Sequence, residues 1–573
     1  MRTGAECVME GFERAGVKEI FGLPGGAVLD IFSHLYHAPF KFILARHEQG
    51  AVHMADGYAR VTGKCGCCIV TSGPGATNTI TGLATANMDG IPLVCVTGQV
   101  PLAMIGNDSF QEADTIGITR GATKHNYLVK NVDALPQIMA EAFHIATTGR
   151  PGPVVIDIPK DIQQASTSAT PPDTVQLKGY KPTIKGHAGQ ISRLAKAIAQ
   201  AERPVLYVGG GVIAADAAEE LTELAHKANM PVTTTLMGLG AFPETDPLAL
   251  RMLGMHGTYA ANMAVTHCDL LIAVAARFDD RVTGKISTFS TKSRKAHIDI
   301  DPSAIGKSVL VDIPVVGDVK SVLQDLLPKV QPDEHPDWLD QIRAWQNERP
   351  LDYDRGTPDI LPQHVIEEVY KVSGGDAVIV TEVGQHQMWA AHFYKYTKPR
   401  TFLSSGGLGT MGYGLPAAIG AQLGAPDKTI VDIAGDGSIQ MNFQELVVAV
   451  EHNLPINVVI LNNQRLGMVR QWQDMFYKGE HAATVLGQTG RPSNEETREP
   501  ENEKYLPDFV KLAEAHGAVG MRVESKDNLV PALTKAFETP RPVVVECMVL
   551  PDENLYPMVP AGASLEDMVH KAT

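Results

Sequence analysis

The chain has 573 residues and carries 49 lysines and arginines against 65 aspartates and glutamates, a formal charge of −16. This excess of acid argues against nucleic acid as its main partner, because a polyanion is bound through clustered basic side chains. Hydrophobic residues make up 44% of the chain, yet no apolar run approaches the roughly 18 residues needed to cross a bilayer. We therefore expect no membrane span and no nucleic-acid partner.

The first residues, MRTGAECVMEGFERAG, show neither the pattern of a secretory signal nor that of a transit peptide, which predicts a cytoplasmic protein. Seven cysteines, an odd number, suit a reducing compartment. Cys65, Cys67 and Cys68 are spaced closely enough to suggest a metal site. The segment KCGCCIVTSGPG is better interpreted as a short buried strand that runs into a glycine turn, where free cysteine behaves as a small hydrophobe.

The chain divides into three parts of similar length. Residues 166–186 and 330–359 are rich in proline and polar residues and predict linkers. Elsewhere, Val- and Ile-rich runs such as GPVVIDIP and PVLYVGGG alternate with amphipathic helical patterns. This alternation predicts an α/β protein with three doubly wound parallel-sheet domains, and the first and last parts share an organisation. We place the domains at 1–165, 187–330 and 359–550, with a tail at 551–573.

One polar segment interrupts the last domain. Residues 481–509 have an acidic, proline-containing centre and predict a loop. Loops of this length in compact domains are either disordered or functional lids, and the composition favours disorder with occasional ordering.

Polar side chains end two successive apolar runs of the last domain. TIVDIAGDG predicts a strand that ends at Gly435-Asp436-Gly437, and INVVILNN predicts the next strand, which ends at Asn462-Asn463. Between them, MNFQELVVAVEHN predicts one amphipathic helix. If these parallel strands are neighbours, their tips lie about 5 Å apart, and Asp436 and Asn463 face one crevice. A carboxylate and an amide oxygen suit Mg²⁺, which completes its coordination with water and phosphate oxygens. The alternative is an ordinary Asn/Gly turn after each strand.

A GDG triplet followed about 27 residues later by NN is the signature of thiamine diphosphate enzymes. Over nearly its whole length the chain resembles the catalytic subunits of acetohydroxyacid synthases, also called acetolactate synthases. The resemblance implies a pyrimidine-binding domain at 1–165, an FAD-binding domain at 187–330, a diphosphate- and Mg²⁺-binding domain at 359–550, and a tail over the active site at 551–573. The implied metal ligands are Asp436, Asn463 and the backbone carbonyl of Arg465.

Glu48 lies in the segment ARHEQGAVHMADGYAR. Alone, a glutamate on an amphipathic helix is usually a solvated surface residue, and HEQGAVH lacks the histidine spacing of a zinc protease. The resemblance makes Glu48 the carboxyl group that hydrogen-bonds the aminopyrimidine of the cofactor, a general acid/base role. In similar proteins the first domain of one chain faces the third domain of another, which implies a homodimer or homotetramer.

The segment SGGLGTMGYGLP contains Gly407, Gly409 and Gly412, a weak dinucleotide-binding pattern with Asp432 some 20 residues further on. The resemblance implies instead that this segment wraps thiamine diphosphate and that Met411 supports the bend of the cofactor. The full set implied for this cofactor is Gln385, His386, Gly409, Met411, Gly435, Asp436, Gly437, Ser438, Asn463, Gly467 and Met468.

Several segments contain candidate residues for substrate binding and catalysis. Gly25 and Gly26 predict a tight turn whose N–H groups could face an anion, although an ordinary turn fits equally well. The resemblance implies the catalytic set Glu48, Gly26, Gln111 and Lys160, and a substrate pocket of Val100, Phe110, Val469 and Trp472. Helical spacing alone would make Met468, Val469 and Trp472 core residues. In the family, the tryptophan at the position of Trp472 bounds the second-substrate pocket and favours 2-ketobutyrate.

Glycines at strand ends followed by acids suggest a nucleotide site in the middle domain, although the triple glycine at 209–211 is weak alone. The resemblance implies FAD with a mainly structural role. The matching positions are Arg150, Gly209, Gly210, Gly211, Met255, His256, Arg277, Arg281, Asp299, Ile300 and Asp318.

The resemblance implies an activity on pyruvate. The chain would decarboxylate pyruvate and join the two-carbon unit to pyruvate or 2-ketobutyrate, in branched-chain amino-acid biosynthesis. A flavin-dependent pyruvate oxidase is the alternative, although the runs RFDDR, GQHQMW and VRQWQ favour the synthase. A cofactor-binding relative without catalysis is a second alternative, which the presence of Glu48, Asp436 and Asn463 opposes. The family often includes a small regulatory subunit.

Overall fold

The computed structural model describes residues 1–487 and 506–570. The insertion predicted at 482–505 therefore lies outside the described residues from position 488 onward, as do residues 571–573 of the tail. Within the described ranges, no helix combines the length and the apolar character needed to cross a bilayer.

The first domain is a six-stranded parallel sheet with helices on both faces and a small two-stranded ribbon. Its strands are β1 (Arg2–Thr3), β2 (Glu19–Leu23), β3 (Lys41–Leu44), β4 (Gly66–Val70), β5 (Leu93–Gln99), β6 (His125–Leu128), β7 (Pro153–Pro159) and β8 (Ser166–Thr167). Its helices are α1 (Gly4–Arg14), α2 (Leu29–Leu35), α3 (Glu48–Thr62), α4 (Pro74–Asn78), α5 (Ile80–Asp89), α6 (Thr115–Thr119), α7 (Leu135–Thr147) and α8 (Lys160–Gln164). Cys67 and Cys68 lie buried in β4, as the buried-strand interpretation predicts.

The middle domain is a second six-stranded parallel sheet. Its strands are β9 (Pro204–Val208), β10 (Val232–Thr234), β11 (Ala249–Met252), β12 (Leu270–Val274), β13 (Arg294–Asp299) and β14 (Ile313–Val316). Its helices are α9 (Ala188–Ile198), α10 (Gly211–Ala214), α11 (Ala218–Lys227), α12 (Tyr259–His267), α13 (Asp280–Thr283) and α14 (Val319–Leu326). The strand order is β11-β10-β9-β12-β13-β14, which within the domain is the 3-2-1-4-5-6 order of dinucleotide-binding folds.

The third domain repeats the plan of the first. Its strands are β15 (Val378–Thr381), β16 (Phe402–Leu403), β17 (Ile430–Gly435), β18 (Asn457–Asn462), β19 (Val519–Val523) and β20 (Val543–Met548). Its helices are α16 (Pro362–Val372), α17 (Gln385–Phe393), α18 (Gly414–Gly424), α19 (Asp436–Ile439), α20 (Leu446–Glu451), α21 (Gly467–Phe476), α22 (Phe509–Ala515) and α23 (Lys526–Glu538). The sheet orders β3-β2-β4-β5-β7-β6 and β16-β15-β17-β18-β20-β19 are the same within each domain, which confirms the shared organisation.

The structure adds detail at two places. The polar stretch 330–359, which separates the middle and third sheets, contains α15 (Pro336–Glu348), with Pro336 in its first turn and Trp338 and Ile342 buried. The single helix predicted from MNFQELVVAVEHN is instead the short helix α20 after a 3₁₀ turn. Tertiary contacts prevail over helical periodicity at this point, because the side chains of Asn442 and Glu445 bind backbone groups of other segments.

The first and third domains share one hydrophobic core, in which α3 packs along α18. Glycines let the two helices approach closely. A Cβ atom on Gly420 would lie 1.8 Å from the carbonyl oxygen of Met54, and one on Gly57 would lie 2.1 Å from that of Ala417. This packing places the amino-terminal end of α3, where Glu48 lies, in a fixed position relative to the third domain.

Candidate cofactor and active site

The two polar strand ends of the third domain meet as predicted. Strands β17 and β18 are parallel neighbours with Gly435 opposite Leu461, so Asp436 and Asn463 leave the same edge of the sheet. Both side chains are buried, and Asp436 Oδ2 has no hydrogen-bond partner. Burial raises the pKa of the Asp436 carboxyl group to about 7. A buried carboxylate oxygen without a partner fits a cation, since an uncompensated charge there is costly.

Asn463 and Arg465 complete the predicted metal set. Asn463 Oδ1 accepts a hydrogen bond of 3.0 Å from the backbone N–H of Arg465, and the amide oxygen keeps a second lone pair. Among the described residues, no group of three or more His, Cys, Asp or Glu side chains could hold a metal ion. A cation at this edge would therefore depend on few protein ligands, as Mg²⁺ bound to a diphosphate does.

A cavity opens at this edge of the third sheet. Its lining residues are Val383, Gly384, Gln385, His386, Trp389, Met411, Gly435, Asp436, Gly437, Ser438, Leu461, Asn463, Arg465, Leu466, Gly467, Met468 and Val469. The structure thus brings together every residue predicted for the cofactor in this domain except Gly409. Val383, Gly384, Trp389, Leu461 and Leu466 were missed. They are apolar or glycine neighbours of the predicted residues, and only their adjacency in sequence could have indicated them.

Two side chains at the start of α17 form one wall of the cavity. Burial lowers the pKa of His386 to about 3, so its ring is neutral, and Nε2 has no partner. Gln385 Nε2 donates a 2.7 Å hydrogen bond to Gln471 Oε1, while Gln385 Oε1 has no partner. A Cβ atom on Gly435 would lie 2.7 Å from His386 Nδ1, and one on Gly467 would lie 2.1 Å from Gln385 Oε1. Glycine at both positions is therefore what allows this wall to form.

A buried pair of acids lies behind the cavity, and the sequence did not point to it. Ser438 Oγ donates a 2.7 Å hydrogen bond to Glu382 Oε2, which also accepts from the backbone N–H of Gly412 at 2.6 Å. Burial, and secondly the neighbouring Glu382 carboxylate, raise the pKa of Asp432. Asp432 is fully buried within β17, which agrees with the interpretation that the dinucleotide pattern at 407–412 is weak.

The predicted catalytic residues of the first domain gather at the carboxyl edge of its own sheet. Lys160 Nζ donates a 3.1 Å hydrogen bond to the carbonyl oxygen of Gly26. A Cβ atom on Gly73 would lie 2.8 Å from the carbonyl oxygen of Gln111, so these two backbone segments touch. Glu48 is the first residue of α3, is buried, and accepts a 2.9 Å hydrogen bond from Asn78 Nδ2.

The predicted catalytic residues of the first domain do not line the cavity of the third domain. Among the described residues, Glu48 does not line the cavity of the third domain, and its side-chain hydrogen bond is to Asn78 of its own domain. Of the predicted substrate pocket, Val100 is buried, whereas Phe110 is 88% exposed. Phe110 is therefore an apolar side chain that the same chain leaves uncovered.

Trp472 and Val469 project from α21 at the side of the cavity. Val469 lines it and is half-exposed. The ring of Trp472 packs edge-on against Phe476, and the guanidinium carbon of Arg281 lies 5.8 Å from its centroid. Helix α21 thus connects the predicted substrate pocket with Arg281, which was predicted for the flavin. Val469 and Trp472 are therefore not core residues, although their helical spacing alone suggests a core position.

The predicted flavin residues lie along the carboxyl edge of the middle sheet. Gly209 follows β9 and its N–H donates to Val274 O at 3.0 Å, while Asp299 ends β13 and Ile300 follows it. Asp318 follows β14 and caps α14, where Oδ1 accepts a 3.0 Å hydrogen bond from Ser321 N–H. Buried His256 has its pKa lowered to about 4, and the N–H of its neighbour Met255 donates to Arg281 O.

Arg150 joins this edge from the first domain. Its Nη2 donates to the carbonyl oxygens of Asn87 and Met88, at 3.0 and 2.8 Å. Burial, and secondly the nearby Arg277 guanidinium, lower the pKa of Arg150. Two neighbouring guanidinium groups at the carboxyl edge of a 3-2-1-4-5-6 sheet fit the phosphates of a dinucleotide.

The tail begins beside the cavity and then leaves it. The carbonyl oxygen of Glu553 accepts hydrogen bonds from Gln385 Nε2 and Arg470 Nη2. Further on, Val559 N–H donates to Met255 O at 2.7 Å, and Leu565 is buried in the core of the middle domain. The described part of the tail therefore ties the third domain to the middle one.

Three family models match the chain. They describe the N-terminal thiamine pyrophosphate-binding domain of thiamine pyrophosphate enzymes at residues 2–118, their central domain at 191–326, and their C-terminal thiamine pyrophosphate-binding domain at 382–547. Each match falls on one of the three parallel-sheet domains.

Similarity to individual proteins extends over almost the full length. The acetolactate synthase large subunit of Corynebacterium glutamicum is 48% identical over 574 residues, covering 99% of this chain and 90% of the relative. The acetolactate synthase isozyme 3 large subunit of Escherichia coli is 47% identical over 581 residues, covering 99% and 98%. The acetolactate synthase large subunit of Haemophilus influenzae is 45% identical over 577 residues, also covering 99% and 98%.

Proposed function

Because the chain belongs to the acetolactate synthase large subunits, a family of thiamine pyrophosphate enzymes, we propose that it forms 2-acetolactate and 2-aceto-2-hydroxybutyrate. In this reaction pyruvate loses CO₂, and its remaining two-carbon unit is joined to a second pyruvate or to 2-ketobutyrate. The observation that carries the proposal is the pair Asp436 and Asn463, buried side by side at the ends of neighbouring strands, with one carboxylate oxygen unpartnered. The relatives favour this synthase over the pyruvate oxidase alternative.

The residues present fit the cofactor and its metal. Asp436, Asn463 and the backbone carbonyl of Arg465 would hold Mg²⁺, and the neutral His386 ring can donate a hydrogen bond from a ring N–H to a diphosphate oxygen. The thiamine diphosphate supplies the electron sink that lets a 2-keto acid lose CO₂. The surrounding protein supplies geometry and excludes water.

Glu48 would control one proton. Asn78 holds its Oε2, which leaves Oε1 free to share a proton with the aminopyrimidine nitrogen N1′. On the same face, Lys160 and Gln111 would line the path of the anionic 2-keto acids. Trp472 would form the apolar wall that admits the extra methyl group of 2-ketobutyrate.

FAD would occupy the carboxyl edge of the middle sheet. The strand order, the glycines at 209–211 and the guanidinium groups of Arg150 and Arg277 support this placement. In this position the flavin would stabilise the junction of the domains rather than exchange electrons with the substrate.

The active unit would be at least a dimer. Within one chain Glu48 is separate from the cavity that contains Asp436, so the cavity would be completed by Glu48 of the partner subunit. The exposed Phe110 and the half-exposed Met441 provide apolar surface for such an interface. The relatives are named large subunits, and we extend this to propose a small regulatory subunit as a further partner.

An omission experiment tests the activity. Purified protein is incubated with pyruvate while thiamine diphosphate, Mg²⁺ and FAD are left out in turn, and the product is identified. We expect acetolactate with the complete mixture and none without thiamine diphosphate or Mg²⁺. Flavin bleaching in step with each decarboxylation, without acetolactate, would identify an oxidase and overturn the proposal.

Subunit mixing tests the shared site. Glu48→Gln and Asp436→Ala protomers would each be inactive alone, yet a mixed dimer contains one site with neither substitution. Random mixing should therefore restore about a quarter of wild-type activity for a two-fold symmetric dimer. If mixing restores no activity while mixed dimers are shown to form, the two residues do not act in one shared site.

A further inference from the structure

The segment 405–413, here called the Met411 loop, is held from within the third domain at its far end. Glu382 Oε2 accepts a 2.6 Å hydrogen bond from the backbone N–H of Gly412, and Asn442 Nδ2 donates a 2.6 Å hydrogen bond to the carbonyl oxygen of the same residue. Both peptide groups that flank Gly412, the residue after Met411, are therefore fixed. Met411 itself lines the cavity.

The near end of the Met411 loop is held by the first domain of the same chain. Asp89 Oδ1 accepts a 2.7 Å hydrogen bond from Gly407 N–H, and Asp89 Oδ2 accepts a 3.1 Å hydrogen bond from Gly406 N–H. Nearby, the hydroxyl groups of Thr85 and Thr410 lie 2.8 Å apart. These contacts join residues more than 300 positions apart in the sequence.

Asp89 occupies an electrostatically unfavourable place. It is the last residue of α5, where the carbonyl end of the helix dipole repels a negative charge, and its side chain is only 1% exposed. Arg60 compensates that charge, since its Nη2 lies 2.8 Å from Asp89 Oδ2 and its Nε binds Asp56. A buried carboxylate at a helix C-terminus is retained only where its hydrogen bonds offset the cost of desolvation.

The same charged cluster also reaches the last residue of the loop. Asp56 Oδ1 accepts a 2.7 Å hydrogen bond from the hydroxyl group of Tyr413, and the guanidinium carbon of Arg60 lies 5.5 Å from the centre of that ring. The cluster of Asp56, Arg60 and Asp89 thus contacts both ends of the Met411 loop. An ion pair that only stabilised the fold would not need to contact both ends of the loop.

We propose that Asp89 is a positioning residue for thiamine diphosphate, which acts by fixing the Met411 loop from the first domain before the cofactor binds. The inference rests on the proposed placement of Met411 against the cofactor. If the loop is already held in its binding conformation, binding of the cofactor does not have to order it. The affinity is then higher than in a protein in which only some of the molecules have the loop correctly placed. Asp89 acts through backbone N–H groups and does not itself touch the cofactor.

The test compares cofactor affinity with stability in the full-length protein. Asp89→Asn removes the charge and one acceptor, and Gly407→Ala disturbs the same contact from the loop side, because its Cβ atom would lie 2.9 Å from Asp89 Oδ1. Glu244→Gln is the matched control. Glu244 is also a buried carboxyl group that accepts a backbone hydrogen bond across a domain boundary, at 2.8 Å from Tyr396 N–H, but it does not touch the loop.

Thiamine diphosphate is titrated at saturating Mg²⁺, with tryptophan fluorescence as the readout, and the melting temperature of each protein is recorded. We expect Asp89→Asn and Gly407→Ala to raise the Kd about 10- to 100-fold, with Glu244→Gln within about two-fold of wild type. Unchanged affinity in Asp89→Asn, or an equal loss in the control, would overturn the inference. If Asp89→Asn does not fold, Gly407→Ala decides by the same criterion. A wild-type protein that binds no thiamine diphosphate would refute the proposed function as well.

Discussion

Replacing Glu48 by glutamine separates the proton role of this residue from its structural role. The amide has nearly the shape of the carboxyl group, and Asn78 Nδ2, which lies 2.9 Å from Glu48 Oε2, can donate equally well to a glutamine oxygen. The fold and the Asp436 side of the site should therefore be unchanged. What is lost is the ability to share a proton with N1′, which is worth about 10²- to 10⁴-fold in rate.

This loss corresponds to about 3 to 5 kcal/mol of activation free energy, at about 1.4 kcal/mol for each factor of ten. The assay is acetolactate formation under saturating cofactor and pyruvate, together with the Kd for thiamine diphosphate. Glu368→Gln, a buried glutamate of α16, is the control and should keep full activity. We expect kcat to fall at least about 100-fold while the Kd changes little. A rate near that of wild type would refute the assignment of the proton to Glu48.

Three further predictions concern packing, pH and specificity. Gly420→Ala places a Cβ atom 1.8 Å from Met54 O and should lower the free energy of unfolding by about 1 to 3 kcal/mol or more, whereas Gly121→Ala, with nothing within 4 Å, should change it little in thermal melts. Burial raises the pKa of Glu445 from 4.5 to about 7, so its contribution to stability is complete below pH 4.5 and is lost as the pH rises through 7. Relative to Glu445→Gln, the wild type should lose on the order of 1 to 3 kcal/mol across that interval in denaturant titrations, and a constant difference would contradict this. Trp472→Leu should lower the preference for 2-ketobutyrate over pyruvate about ten-fold in a competition assay, and an unchanged product ratio would exclude the proposed wall.

The sequence predicted those features of the structure that depend on residues close to one another along the chain. Asp436 and Asn463 each follow the end of an apolar strand, and one helical crossover joins the two strands. From this pattern the two strand ends were predicted to lie side by side, and the pairing of β17 with β18 confirms it. The three parallel sheets followed in the same way from alternating apolar strands and amphipathic helices. The wrong helix at 441–453 shows the limit, because Glu445 there binds the N–H groups of Arg46 and His47 from another domain.

Contacts between distant segments left no local signal. The sequence around Asp89 is that of a solvated residue at the end of a helix. Only the structure shows that its carboxylate accepts hydrogen bonds from the N–H groups of Gly406 and Gly407. In the same way, Glu382 looks like an ordinary residue after a strand until Ser438 and Gly412 are seen to bind it. The roles of all the predicted site residues stay predictions. Gly409 does not line the cavity, and Asp318 caps a helix.

A structure of the protein with thiamine diphosphate and Mg²⁺ tests the account most directly. We expect the metal ion between Asp436 and Asn463, the diphosphate beside His386, and the aminopyrimidine N1′ within hydrogen-bond distance of the partner subunit's Glu48. A metal ion bound elsewhere, or a cofactor whose N1′ faces no carboxyl group, would contradict the account.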